Sequence, residues 1–414
     1  MNGKRTIREG KNGGRRPGLP GMAESCRGFT LIELLIVITL FALVMAALQQ
    51  TFSAQVRMGI MREYRLAEAE MELGIVKTII TRDLSMAGHG LPEIIDSALR
   101  PALKVVSGVE GTNSDDGPDT LILRGMAIGR ESRAAQGWTY QDEDILTHSL
   151  ALKEWNDARE NLQPNDAVIL MDPTIRKLKY MFPSGDWVFR YNGPSSVVTS
   201  LSGTPGISVS PGDVLYGFYN TGSSATLPKQ PYYAVRYYLG GETFPATCAP
   251  GTRSLMRAES RTDAAPSGGE GRHILNCVLD FQVALGIDEG NLADKVDDRD
   301  GMISFWDNGG VAFTAAAGPA DAALAIDNNS NLFRNLNKNL RQIRVYVLVQ
   351  DGNRDQGYFY SNPDPAYSDK PNKIRVGELG LQGGPVGRDV TLTDEQRRYR
   401  WRVLSIAVTP RNIW

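Results

Sequence analysis

Three observations predict an α+β chain: a long N-terminal helix, transmembrane in its first half, followed by a large, mainly antiparallel β-rich head with long loops. Residues 29–48 (FTLIELLIVITLFALVMAAL) form an apolar run whose only charge is Glu33. Apolar residues then recur at helical spacing as far as Ile79. From about Leu99 the apolar period drops to two, and clusters of Gly, Pro, Asn and Asp separate the runs.

The apolar run comes first. Twenty helical residues rise about 30 Å, the thickness of a bilayer's hydrocarbon. A secretory signal places its apolar core before a small-residue cleavage site. Here the order is inverted, because Gly28 precedes the core, and a cut there leaves the core on the mature protein. Residues 1–28 hold seven cations (Lys4, Arg5, Arg8, Lys11, Arg15, Arg16, Arg27) against Glu9 and Glu24, a net +5. By the positive-inside tendency that end stays cytoplasmic and the chain beyond Leu48 enters the periplasm. The run alone is equally compatible with a plain N-terminal anchor. Glu33 argues for more, because an acid within an apolar span costs a few kcal/mol and is tolerated when paired.

The junction Arg27-Gly28-Phe29-Thr30-Leu31-Ile32-Glu33 resembles the prepilin peptidase site of type IV pilins and type II secretion pseudopilins. The resemblance implies cleavage after Gly28, N-methylation of Phe29, and retention of Glu33 as the fifth mature residue. In that family this glutamate answers the positive N-terminus of a neighbouring subunit within the filament. The implied partners are the prepilin peptidase, other minor pilins and the major pilin, the inner-membrane assembly platform, and the membrane itself through 29–48. Translation from Met1 or from Met22 gives the same mature chain; the stretch before Met22 (GKNGGRRPGLPG) has no packing pattern.

The second observation extends the helix. Phe52, Val56, Ile60, Tyr64, Ala67, Met71, Ile75 and Ile79 recur at steps of three and four and read as one apolar stripe. Gly88, Gly90 and Pro92 end the pattern. One helix from Phe29 to about Met86 is expected, which divides the chain into a leader (1–28), a helical segment (29–90) and a head (93–414).

In the head the period-two candidates are 102–106, 120–125, 167–171, 187–191, 213–219, 232–239, 278–287, 342–349 and 399–408. Residues 142–162 suggest a short helix. Segments 240–272, 307–335 and 352–390, rich in Gly, Ala, Pro, Asn and Asp, read as long surface loops, and Gly108-Val109-Glu110-Gly111 and Gly383-Gly384 as turns. Stretches such as Arg82-Asp83-Leu84-Ser85-Met86-Ala87-Gly88, Tyr232-Tyr233-Ala234-Val235-Arg236-Tyr237-Tyr238 and Asn276-Cys277-Val278-Leu279-Asp280-Phe281 are similar to those of PilW-type minor pilins. That resemblance implies a subunit of a complex that primes or tips a type IV pilus, with twitching motility or adhesion among the outputs. A J-type pseudopilin of type II secretion, or an anchored adhesin with a glycan-binding head, shares the same features.

Cys26 lies in the leader, so Cys248 and Cys277 are left to the oxidising side, where a disulfide is expected rather than two free thiols. Two acidic loops are weak calcium candidates: Asp298, Asp300 and Asp307, and Asp351, Asn353 and Asp355. The first puts Val296 at the leading ligand position, and polar turns use the same residues without an ion. No cofactor is expected otherwise. His89, His148 and His273 show no zinc spacing and no nucleophile motif, and read as surface or capping residues. There is no phosphate-binding Gly-rich loop with Lys-Ser/Thr. Tyr232, Tyr233, Tyr237 and Tyr238 offer a stacking surface for a ligand or, more economically, cross-strand packing. The whole chain carries −2 and its leader +5, so residues 29–414 carry −7, without the basic excess of a nucleic-acid binder. A structural, non-enzymatic subunit is the reading.

Overall fold

The computed structural model describes residues 30–96, 99, 109–112, 117–128, 137–143, 150–157, 161–193, 197–200, 206–218, 230–241, 247–260, 271–288, 302–303, 305–307, 340–355, 357–381 and 384–412. The expected strand 102–106, His148, and nearly all of the expected loop 307–335 lie outside these residues. The chain forms two compact units, one ending at Tyr64 and one from Arg65 onward.

In the first unit, helix α1 (Leu31–Met86) begins. Its first 20 residues, Leu31–Gln50, have a mean hydropathy of 2.8, and their apolar side chains are exposed, Leu31 by 81%. The Thr39 hydroxyl donates to the Leu35 and Ile36 carbonyls at 3.0 and 2.8 Å, so it brings no unsatisfied polar group to that surface.

In the second unit, α1 buries Val76, Ile80 and Leu84, and Ala87 just after it is buried too. The stripe expected from sequence is corrected here: Met71 and Ile75 are 64% and 56% exposed and Ile79 is half-buried. Val56, Ile60, Tyr64 and Ala67 lie where side chains are outside the description. The reason is geometric. Each step of four residues overshoots a full turn by about 40°, so a run of fours winds around the helix instead of keeping to one face. Gly88 (φ 80°) ends the helix, and its N–H donates to the Arg124 carbonyl at 2.8 Å, tying the helix end to the sheet.

The strands, in chain order, are β1 (Val109–Thr112), β2 (Thr120–Gly125), β3 (Trp138–Glu143), β4 (Leu150–Leu152), β5 (Ala167–Asp172), β6 (Lys177–Leu178), β7 (Phe189–Arg190), β8 (Val197–Ser200) and β9 (Ile207–Ser208). They continue with β10 (Val214–Phe218), β11 (Tyr233–Gly240), β12 (Arg253–Ser260), β13 (Arg272–Ile287), β14 (Phe305–Asp307), β15 (Leu340–Gln350), β16 (Lys373–Glu378), β17 (Val386–Thr391) and β18 (Trp401–Val408). A large antiparallel sheet runs β1-β2-β11-β12-β13-β15-β18, with β14 on β13. A second runs β4-β3-β10-β5-β7-β8-β9, with β6 on β5, and β16–β17 form a separate hairpin.

Period two explains the layering. On β15, Ile343, Val345 and Val347 join Val76, Ile80 and Leu84 of the helix in one core. Tyr346 and Leu348, on the opposite face, pack with Ile374, Val376 and Val386 of the β16–β17 hairpin. That hairpin is also held by Arg388, whose guanidinium grips the fully buried Asp280 of β13 at 2.7 and 3.1 Å. The second sheet presents Ala167 and Ile169 to Ile95, Leu99, Met126 and Tyr233, and Val168, Leu170 and Phe189 to its other core.

Several expected loops are strands. Segment 240–272 contains β12, an interior strand of the large sheet whose pairing with β13 shifts register between Arg253 and Met256; the bulge breaks the alternation that would have marked it. Segment 352–390 contains β16–β17, where Gly377 and Gly387 face each other across the pair, and a Cβ on either would collide with the opposite backbone. The glycines mark close approach of two strands. Gly108-Val109-Glu110-Gly111 mostly forms the edge strand β1. The expected helix over 142–162 is also corrected: its described part includes the end of β3 and all of β4.

Candidate functional site

Gly28 and Phe29 lie outside the described residues. The site begins at Thr30, which caps α1. Glu33 Oε2 accepts from the Thr30 N–H at 3.0 Å and from its hydroxyl at 2.9 Å, and Thr30 Oγ1 accepts from the Glu33 N–H at 3.4 Å. This is a capping box, Thr-x-x-Glu, satisfying donors that the first helical turn leaves open. Both accepted bonds fall on Oε2, so Oε1 has no partner among the described residues. A carboxylate offers about four lone-pair sites. The arrangement fixes the carboxylate at the start of an exposed apolar helix while leaving one oxygen to receive an incoming cation.

Cys248 and Cys277 form a disulfide, with Cα atoms 5.2 Å apart. Cys277 (φ 55°) sits at the irregular register between β12 and β13, so the bond clips the loop before β12 to an interior strand.

Of the calcium candidates, Asp298 and Asp300 and the side chain of Asp307 lie outside the described residues. Asp355 accepts from the Gly357 N–H at 3.0 Å and pairs with Arg400 at 3.5 Å, and the Asp351 N–H donates to the Arg400 carbonyl. Among the described residues no group of three or more His, Cys, Asp or Glu side chains is placed to hold a metal ion.

The remaining expectations divide. His273 is exposed on β13. His89 is half-buried at the end of α1: its ring meets Tyr216 edge-on at 5.1 Å and contacts Asn412, and burial lowers its pKa to about 4, with the Arg176 charge acting in the same direction. The tyrosines of the β11 segment, Tyr232, Tyr233, Tyr237 and Tyr238, are at most 7% exposed, which makes them core and not a stacking surface.

Two arrangements escaped the sequence. Asp83, on the buried face of α1, accepts from the Tyr237 hydroxyl at 2.5 Å and from Arg257 Nε at 2.8 Å, and Arg257 also reaches Glu259. Burial opposes the Arg257 charge, yet its bond to Asp83 holds the guanidinium protonated, while burial beside Asp83 pushes the Tyr237 hydroxyl well up. Separately, Trp138, Tyr140 and Trp155 gather at the edge of the second sheet. The only linear hint of the latter is the alternation Trp138-Thr139-Tyr140, since Trp155 lies within the segment 142–162 that reads as helical.

Residues 25–48 match the model of the prokaryotic N-terminal methylation motif. Neither curated proteins nor solved structures gave a match to the chain. The motif implies processing by a prepilin peptidase and partners in pilus assembly, and suggests a structural rather than a catalytic protein. With the apolar N-terminal helix, it supports a type IV pilin-like prepilin anchored in a membrane.

Proposed function

We propose that the chain is a minor type IV pilin, a structural subunit of the complex that primes or tips the pilus. It is cut after Gly28, methylated at Phe29, and held in the inner membrane with its N-terminus cytoplasmic and its head periplasmic before assembly. The observation that carries this reading is Glu33: a capped carboxylate with one oxygen unpartnered among the described residues, at the start of an exposed apolar helix, inside the methylation motif. On assembly the open oxygen meets the N-terminal amine of a neighbouring subunit, and burial of that pair with the apolar helices offsets its desolvation. Exposed Met71 and Ile75 offer further apolar surface to adjacent helices. A head of about 320 residues would crowd its neighbours at every position of a thin shaft, which favours a tip or sparse position.

The test uses two substitutions and follows processing and piliation. Gly28→Trp should leave the leader uncut. Glu33→Ala should be cut but fail to enter filaments. Wild-type piliation from an uncut chain would overturn the proposal, as would full incorporation of the Glu33 variant.

A further inference from the structure

Trp138 and Tyr140 lie on one face of β3, and Trp155 folds back onto both. The ring centroids are 4.5 Å apart for Trp138–Trp155, 6.1 Å for Tyr140–Trp155 and 6.4 Å for Trp138–Tyr140. Trp155 is fixed from three sides. Its Nε1 donates to the Trp138 carbonyl at 2.7 Å, its N–H donates to Asn161 Oδ1 at 2.7 Å, and Asn161 Nδ2 donates back to its carbonyl at 2.9 Å. Yet all three rings remain half-buried, whereas Tyr232, Tyr233 and Tyr237 of the same head are at most 2% exposed. A rigid aromatic cluster held at the surface is more than core packing requires.

Trp138 also lines an open cleft of about 700 Å³, within the size range of small-ligand sites. The facing wall is the end of α1 and the chain after β18, including Ser85, His89, Thr409, Arg411 and Asn412. The wall is rigid where it matters. Asn412 Nδ2 donates to the Ser85 carbonyl at 2.9 Å, and Arg176 donates to the Asn412 carbonyl at 3.2 Å. Thr409 and Arg411 are exposed. Among the described residues the lining thus sets the Trp138 ring against neutral donors and acceptors, with one guanidinium and no carboxylate.

We propose that this cleft binds a saccharide. A pyranose ring has an apolar C–H face, suited to the Trp138 ring that Trp155 backs, and a rim of hydroxyls, suited to Thr409, Arg411 and Asn412. Single-stranded nucleic acid also stacks on aromatic rings, but it follows a basic groove. Among the described residues this lining has one guanidinium, and residues 29–414 carry a net −7. The site is independent of how the subunit assembles, so it stands or falls apart from the filament reading.

The test takes the full chain in a detergent without a sugar headgroup. Maltotetraose, chitotetraose, sialyllactose and a short oligothymidylate are titrated in turn, with tryptophan emission and ligand-observed NMR as readouts. At least one saccharide should bind saturably and shift the emission. Trp138→Ala and, separately, the exposed-site variant Arg411→Ala should each weaken binding about tenfold or more, with the Arg411 variant melting as the wild type does. Absence of saturable binding by all three saccharides would overturn the proposal. So would binding that survives both substitutions, or preference for the oligothymidylate.

Discussion

Asp83 places a carboxylate on the helix face that meets the sheet, 7% exposed, with Arg257 at 15%. Removing one partner of a buried ion pair strands the other, at about 3–5 kcal/mol. Asp83→Ala should therefore lower head stability by roughly that amount, whereas Glu70→Ala, which loses a surface pair with Arg402, should cost about 0–1 kcal/mol; denaturant melts compare the two. His89 supplies a pH dependence. Its folded pKa, about 4, lies below the ordinary value near 6.5, so between those limits the unfolded chain binds more protons. The neutral ring's contribution is complete above pH 6.5 and is lost as pH falls toward 4, at a cost on the order of 2 kcal/mol because the ring keeps some exposure. Melting at pH 7.5 and pH 4.5 should show that loss in the wild type and a smaller one in His89→Gln. The methylation motif over residues 25–48 was legible because its pattern is contiguous. Asp83 and its partners were not, because Tyr237 and Arg257 lie 154 and 174 residues away and nothing local marks them.

The long helix shows how far periodicity carries. Its existence and its end at Gly88 follow from composition and from glycine, both local properties. The face it buries does not, since a sequence of fours permits several faces and the sheet selects one. That selection is testable. Ile80→Ala removes a fully buried side chain from the core and should cost about 2–5 kcal/mol. Ile75→Ala, 56% exposed, should change head stability by no more than about 0.5 kcal/mol; equal costs would return the helix face to the one read from sequence. Among the strands, long runs such as β11, β13 and β15 were legible because they are dense in β-branched and aromatic residues. β12 was hidden by its bulges, and β16–β17 by the paired glycines, because both devices remove the alternation on which strand reading depends.

At the scale of the molecule, the helix's second half is part of the head, not a stalk for it. The head's main core includes Val76, Ile80, Leu84 and Ala87, and the compact unit begins at Arg65. Losing three large core side chains costs about 2–5 kcal/mol each by the standards of single truncations. Together that reaches the whole stability of an ordinary domain, about 5–15 kcal/mol. Truncation before residue 93 would also leave Arg257 and the Tyr237 hydroxyl without Asp83 and open an apolar sheet face to water. A fragment of residues 65–414 should therefore express as a soluble protein with one cooperative melt. A fragment of residues 93–414, cut where the sequence places the head's boundary, should aggregate or melt without cooperativity. Reducing the Cys248–Cys277 disulfide in the longer fragment should lower its stability by only about 3–4 kcal/mol on the chain-entropy model, leaving it folded. If the shorter fragment instead melts like the longer one, the core described by Val76, Ile80 and Leu84 is not what holds this head together.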